Sequence, residues 1–308
     1  MPATVSVVIP VYFNGDALPH VIGELVRVEA ELAKHDFTMD LIFVDDGSGD
    51  NSFQELMRIK QMRPATTIIK LTRNFGAVHA SKTGMARASG DCVLVLAADL
   101  QDPPELILQG VDLWRKGEKF VLFARRKRKD PPATRLFAFI YYMLLRTMVV
   151  PDYPPGGYDV ALMDKAFMPY IVNSSKNVNT ALFAYWLGFR PAIVYYDRRE
   201  RQHGRSRWTF SKRLKFFIDS LLGFSVTPIR MILVIGLAVS TLSFVYGIWV
   251  IISALRGKIS VQGFPTVVAL NSFLLGLVIV MLGIIGEYIW RIFDEVNKRP
   301  ESVIDDIY

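Results

Sequence analysis

The chain lacks the features on which several common protein classes depend. It has a single cysteine, Cys92, among 308 residues, so neither a disulfide framework nor a cysteine metal site is expected. The phosphate-loop pattern GxxxxGK[ST], the dinucleotide pattern GxGxxG and nucleic-acid-binding motifs do not occur. No signal peptide is expected, because strand-like residues 5–9 follow Met1 almost directly. We therefore expect the N-terminal domain to stay in the cytoplasm.

Charged residues are missing from two long stretches, 231–255 and 259–286. Each exceeds the roughly 20 residues that span a bilayer, and a pair of buried core helices is the less fitting alternative at this length. Only Arg256 and Lys258 carry charge between the stretches, whereas Arg and Lys are dense on their outer flanks. The positive-inside rule then predicts two cytoplasmic ends and a short external loop. The net charge of +7 favours anionic lipids and anionic substrates over nucleic acid.

The first 130 residues alternate apolar runs with helical patterns, as a doubly wound α/β sheet does. The predicted strands are 5–11, 41–45, 67–71, 92–98 and 119–124, and the predicted helices are 17–34, 51–62, 77–88 and 104–116.

A run of five cations, 125–129, precedes an apolar helix predicted at 134–150. Arg135 and Arg146 share one face of this helix, which favours a position in the membrane interface. A buried core helix remains the alternative. A second amphipathic helix is predicted at 211–225.

Two strand ends carry carboxylates. The apolar run that ends at Ala98 is followed by Asp99, Gln101 and Asp102, which are oxygen ligands suited to Mg²⁺ or Mn²⁺. The alternative is a helix start capped by Asp102 before two prolines.

The second predicted strand ends in Asp45 and Asp46. Adjacent acids at a buried strand end can bind ribose hydroxyls or a base edge. Farther along, Gly76 would let the backbone approach a ligand closely. Arg73 or Lys82 could offset phosphate charge, although a solvated helix lysine is the preferred interpretation of Lys82.

Four segments carry a family resemblance: VSVVIPVYFN, VDDGSGDNS, LTRNFGAVHASKTGM and ADLQDPPE. In this order they resemble the inverting family 2 glycosyltransferases of the GT-A fold. The two apolar stretches and the ending GEYIWRIFDEVNKRP are similar to the polyisoprenyl-phosphate glycosyltransferases, which include bactoprenol glucosyltransferases and dolichol-phosphate mannose synthases.

The resemblance implies a Rossmann-like GT-A domain at 1–210, a juxtamembrane helix at 211–228, two transmembrane helices within 229–290 and a cytosolic tail at 291–308. It implies transfer of a sugar from a nucleotide-diphosphate sugar to polyprenyl (undecaprenyl) phosphate at the bacterial inner membrane. UDP-glucose is the first expectation for the donor, and a homo-oligomer, first of all a tetramer, is expected.

The resemblance also implies roles for individual residues. Asp99 and Gln101 would bind a divalent cation, and Ala97 replaces the usual first Asp of that motif, for which Asp102 would compensate. Asp159 would act as a base or orient the sugar or acceptor. Arg198, Arg201, Ser206 and Arg207 would bind donor or lipid phosphate. The donor would be held by Pro10, Tyr12, Asn14, Asp45, Asp46, Arg73, Gly76 and Lys82, together with Asp99.

Two other functions remain open. Ala97 is the feature that motivates a catalytically weak scaffold that binds nucleotide sugars. A processive polysaccharide synthase fits less well, because Gln202 and Arg207-Trp208 do not have the spacing of its Gln-x-x-Arg-Trp motif and two spans make a poor polymer channel.

Overall fold

A computed structural model describes residues 2–126, 132–151, 153–154, 157–175, 180–199, 220, 224–225, 227–256 and 263–308. The chain forms two compact units, one of Met1–Gly223 with Pro300–Tyr308 and one of Phe224–Arg299. Arg201, Ser206 and Arg207 lie outside the described residues, as does nearly all of the helix predicted at 211–225.

The first unit alternates strands and helices along most of its length. Its elements are β1 (Ala3–Val11), α1 (Leu18–Ala33), β2 (Phe37–Asp45), α2 (Ser52–Met62), β3 (Thr67–Leu71), α3 (Ala77–Met85), β4 (Cys92–Val95), α4 (Leu106–Arg115), β5 (Phe120–Arg125), α5 (Pro132–Met148), β6 (Val160–Asp164), α6 (Met168–Val172), α7 (Thr180–Trp186), β7 (Ala192–Tyr196) and, after the second unit, β8 (Ile304–Ile307).

These elements follow from the apolar pattern. Residues 5–9 of β1 are all buried, as expected for a strand covered on both faces. Helix α1 is amphipathic and buries Leu18, Val21, Leu25 and Leu32 against the same core. Full burial of each such side chain contributes about 1.5–3 kcal/mol.

The eight strands form one mixed sheet in the order β7-β5-β6-β4-β1-β2-β3-β8. Strands β4, β1, β2 and β3 run parallel, whereas β6 is antiparallel to both β4 and β5. Strand β7 is parallel to β5. The carboxyl ends of six strands and the start of β6 therefore lie at one edge of the sheet, where ligands bind in open α/β folds.

The last residues of the chain return to the first unit. Strand β8 pairs antiparallel with β3, and the Tyr308 amide donates to the Ile68 carbonyl at 2.9 Å. The chain end thereby covers a strand edge that would otherwise be exposed. The sequence indicated only a tail at 291–308, without a strand.

The second unit contains α8 (Thr227–Leu255) and α9 (Phe264–Val296). Spans 227–246 and 273–296 have mean hydropathies of 2.0 and 2.2, and none of the side chains in these windows is buried. Both helices are long and apolar enough to cross a membrane.

Candidate active site

Asp46 ties the end of β2 to the loop before α3. Its carboxylate accepts hydrogen bonds from the amides of Phe75 and Gly76, at 2.7 and 2.9 Å, and from Asn74 Nδ2 at 3.0 Å. Burial raises the pKa of Asp46 and of Asp45, and the two amide donors oppose the rise for Asp46. Asp46 thus holds the loop before α3 against the end of β2, and Asp45 lies beside it at the same edge of the sheet.

Gly47 permits the close approach of this loop. Its φ is +67°, and a Cβ atom there would lie 2.5 Å from the carbonyl carbon of Arg73. A larger residue would meet both backbone strain and a direct overlap. Gly76 also has a positive φ, +99°, but a Cβ there would meet no atom within 4 Å, so conformation alone requires that glycine.

The loop after β1 is held against the loop after β2. The Phe13 amide donates to Ser48 Oγ at 3.2 Å, and the Ser48 amide donates to Asp45 Oδ1 at 3.1 Å. Asn14 Oδ1 accepts from the Tyr12 amide at 3.1 Å. These bonds connect the loop that holds Tyr12 and Asn14 to the loop that begins after Asp45. Pro10 lies just before the first of these loops, within β1.

The two cations predicted near the donor lie in different surroundings. The Arg73 guanidinium is 4.5 Å from the centre of the Phe75 ring, on the loop that Asp46 holds. The Lys82 ammonium is buried and donates to Glu301 Oε1 at 2.6 Å and to the Ser174 carbonyl. Its charge is thus compensated by the returning chain end, and the interpretation of Lys82 as a solvated helix lysine is wrong because the side chain is buried.

A strained turn carries the predicted metal ligands. Strand β4 ends at Val95, three residues earlier than predicted, and Leu100 adopts a left-handed φ of +54°. The Gln101 amide donates to Asp99 Oδ1 at 3.1 Å, and the Gln101 carbonyl accepts from the Arg199 amide at 2.9 Å. Left-handed non-glycine residues persist where surrounding contacts fix them, often at functional sites.

The donor set of this turn fits a cation that arrives with a phosphorylated substrate. Asp99 offers a carboxylate and Gln101 an amide oxygen, whereas the described residues contain no group of three Asp, Glu, His or Cys side chains that could hold a metal. Mg²⁺ commonly takes one or two protein carboxylates and completes its shell with phosphate oxygens and water.

Asp102 and Arg198 face each other. Arg198 donates from Nε and Nη2 to the two oxygens of Asp102, at 2.8 and 3.2 Å, and Asp102 is only 3% exposed. Burial raises the pKa of Asp102, and the Arg198 charge opposes that rise. The guanidinium that we expected to bind phosphate is thus paired with the carboxylate that we expected to compensate for Ala97.

Asp159 reaches the same edge because it precedes the antiparallel strand β6. Arg125, the last residue of β5, donates to both of its oxygens at 2.6 and 2.5 Å. The Tyr196 hydroxyl contacts Asp159 Oδ2 at 3.2 Å and also donates to Asp102. The sheet edge therefore holds carboxylates and guanidinium groups in one connected cluster.

Comparisons with known proteins agree with this architecture. The model of glycosyl transferase family 2 matches residues 6–152. An uncharacterized glycosyltransferase of Synechocystis sp. is 33% identical over 100% of this chain and 96% of its own length. The SfII prophage-derived bactoprenol glucosyl transferase of Shigella flexneri is 32% identical over 97% of both chains. The chain belongs to glycosyl transferase family 2.

The first unit of this family 2 glycosyltransferase has the GT-A fold. Glucosyl-3-phosphoglycerate synthase of Mycobacterium tuberculosis, crystallised with Mn²⁺ and UDP-glucose, aligns with a TM-score of 0.50 at 18% identity, over 71% of this chain and 79% of that chain. The GT-A prediction is confirmed.

Two residues of the cluster at the sheet edge, Arg125 and Tyr196, were not identified from the sequence. Arg125 was read only as part of the cationic run 125–129, although its place at the end of a predicted strand was a usable signal. Tyr196 gave no signal, because β7 was not predicted and its contacts are with residues far away in the chain.

Proposed function

We propose that this glycosyltransferase moves a sugar from a nucleotide-diphosphate sugar to polyprenyl phosphate at the cytoplasmic face of the membrane. The observation that carries the proposal is that one chain combines a GT-A sheet, whose edge carries acidic loops, with two helices able to span a bilayer. Similarity to bactoprenol glucosyl transferases along 97% of the chain supports it.

The donor would lie along the edge formed by β1, β2 and β4. Asp45 and Asp46 suit hydroxyls or a base edge, and Arg73 suits phosphate because its guanidinium stands on an exposed loop. UDP-glucose is our first choice of donor.

Asp99 and Gln101 would hold a divalent cation together with the donor phosphates. When bound, such an ion neutralises charge on the departing diphosphate. The substitution of the usual first Asp by Ala97 predicts weaker binding of the free ion than of the ion with the donor.

The acceptor needs little proton abstraction, because a phosphate oxygen is already ionised near neutral pH. That oxygen would attack the anomeric carbon while the bond to the nucleoside diphosphate breaks, so one displacement inverts the configuration. Asp159, fixed by Arg125, would orient the sugar or acceptor. Arg201, Ser206 and Arg207 would bind donor or lipid phosphate.

Charge and exposure support the membrane arrangement that we propose. Helix α5 exposes Phe137, Phe139 and Met143, which supports its position in the membrane interface. We propose two transmembrane helices in the bacterial inner membrane with both chain ends in the cytoplasm, and a homo-oligomer, first of all a tetramer.

Ala97 favours one competing function, a scaffold that binds nucleotide sugars without turnover. It would bind donors yet yield no lipid product.

A donor screen on purified protein in detergent tests the proposal. Labelled UDP- and GDP-sugars are offered with undecaprenyl phosphate and Mg²⁺, Mn²⁺ or EDTA. We expect a lipid-extractable, metal-dependent product that Asp99→Asn reduces at least a hundredfold, because a carboxylate ligand is lost. Asp112→Asn is the control, since that exposed side chain of α4 pairs with Lys116, the residue that follows the helix. Full activity of Asp99→Asn would refute the metal assignment.

A further inference from the structure

A single hydroxyl links the two partly buried acid–guanidinium pairs of the candidate active site. Tyr196 donates to Asp102 and contacts Asp159, while Arg198 and Arg125 each bind one of these carboxylates through two nitrogens. Within the described part of the chain, Tyr196 is the one side chain that hydrogen-bonds to both acids.

The backbone fixes this hydroxyl in place. Tyr196 and Arg125 are paired residues on the neighbouring parallel strands β7 and β5. The Tyr196 carbonyl accepts from the Arg126 amide at 2.9 Å, and the ring of Tyr196, 6% exposed, belongs to the hydrophobic core. The position of the hydroxyl is thus set by the sheet.

The two acids, in contrast, lie on loops. Asp102 ends the strained turn that begins at Asp99, and Asp159 precedes β6 within the segment 157–159. Loop positions vary unless neighbouring groups fix them. A bridge from a rigid strand to both loops would set their separation.

We propose that Tyr196 is a positioning residue that holds the Asp99–Asp102 turn and Asp159 at the separation that sugar transfer requires. The inference rests on the proposed function, because it assigns the donor and its cation to the turn and the sugar or acceptor to Asp159. Tyr196 acts through these two acids and does not touch the substrate.

The chemistry of the bridge supports this role. A phenol carries one hydrogen, and here that hydrogen is shared between one oxygen of Asp102 and one of Asp159, so the hydroxyl joins the acids without transferring its proton to either. The two arginines compensate the charges of the acids, and the hydroxyl fixes the position of one acid relative to the other. Removing it would leave each pair intact but unconnected, and misplacement near 1 Å can cost about a hundredfold in rate.

Replacement of one hydroxyl tests the inference. Tyr196→Phe keeps the ring in the core and removes the bridge, whereas Tyr195→Phe makes the same change at a 53% exposed position of the same strand. In the lipid transfer assay, we expect kcat of Tyr196→Phe to fall ten- to a hundredfold while its donor KM changes less than threefold. Tyr195→Phe should match the wild type.

A double variant separates positioning from simple loss of stability. Because Tyr196 would act in part through Asp159, Tyr196→Phe should lower kcat less in an Asp159→Asn background than in the wild type. Equal losses in both backgrounds, or a variant with lowered thermal stability but wild-type kcat, would overturn the inference. Wild-type transfer in the same assay shows that the proposed function holds, whichever result Tyr196 gives.

Discussion

At the scale of single residues, the site depends on backbone conformations that few side chains tolerate. Phe13, Gly47, Gly76 and Leu100 all have positive φ angles at the ends of strands or in the loops that follow them. They turn the chain at the sheet edge. Loop amides there bind neighbouring acids, as the amides of Phe75 and Gly76 do when they donate to Asp46.

Gly47→Ala tests whether close approach of the loops matters beyond conformation. A left-handed alanine costs about 1–2 kcal/mol, and overlap with Arg73 should add about 1–3 kcal/mol. Gly117→Ala is the matched control, because Gly117 has a φ of +101° but open space around it. Thermal unfolding in detergent should show the larger loss of stability for Gly47→Ala. Equal losses would mean that the loop accommodates the methyl group.

The sequence predicted where residues lie in the sheet better than it predicted which side chains they contact. Asp45, Asp46 and Asp99 were placed at strand ends by the apolar runs before them, and β2 and β4 do bring them to one edge. The pairing of Asp102 with Arg198 could not be foreseen, because it joins residues 96 positions apart through a strand that was not predicted.

At the scale of elements, the returning chain end is the largest departure from expectation. The parallel strands were foreseen because their apolar runs are continuous. Strand β8 was not, since only four residues form it and two of them are acids. Its identity as a strand comes from the edge of β3, a tertiary contact that local pattern does not encode.

Two ion pairs attach this chain end, and they should differ in strength. Glu301 binds Lys82, whose side chain is 7% exposed, whereas Asp305 binds Lys70 at 36% exposure. Exposed pairs contribute about 0–1 kcal/mol, and a hydrogen bond to a charged group that is partly buried about 1.5–3 kcal/mol. Thermal unfolding should therefore show a larger loss for Glu301→Gln than for Asp305→Asn. The reverse order would contradict the assigned role of Lys82.

The same pair predicts a pH dependence of stability. Burial works to raise the pKa of Glu301, but the hydrogen bond from Lys82 and the nearby His79 outweigh it and lower the pKa below the ordinary 4.5. The stabilisation is therefore present above pH 4.5 and is lost as the pH falls through the folded-state pKa. Glu301→Gln should remove this part of the acid dependence.

At the scale of the whole molecule, one chain joins a GT-A sheet to two helices that are long and apolar enough to cross a membrane. The chain leaves the first unit for α8 and α9, and then returns to complete the sheet. Such a combination suits the substrates that we propose, a soluble nucleotide sugar and a membrane-bound acceptor, because the two occupy different phases.

The number of phosphates in the lipid product tells transfer of a sugar, which we propose, from transfer of a sugar phosphate. Purified protein is incubated with a labelled nucleotide-diphosphate sugar and undecaprenyl phosphate, and the extracted lipid and released nucleotide are identified by mass spectrometry. We expect a glycosyl lipid with one phosphate and release of a nucleoside diphosphate. A lipid with two phosphates and release of a nucleoside monophosphate, or no glycosyl lipid with any donor, would contradict it.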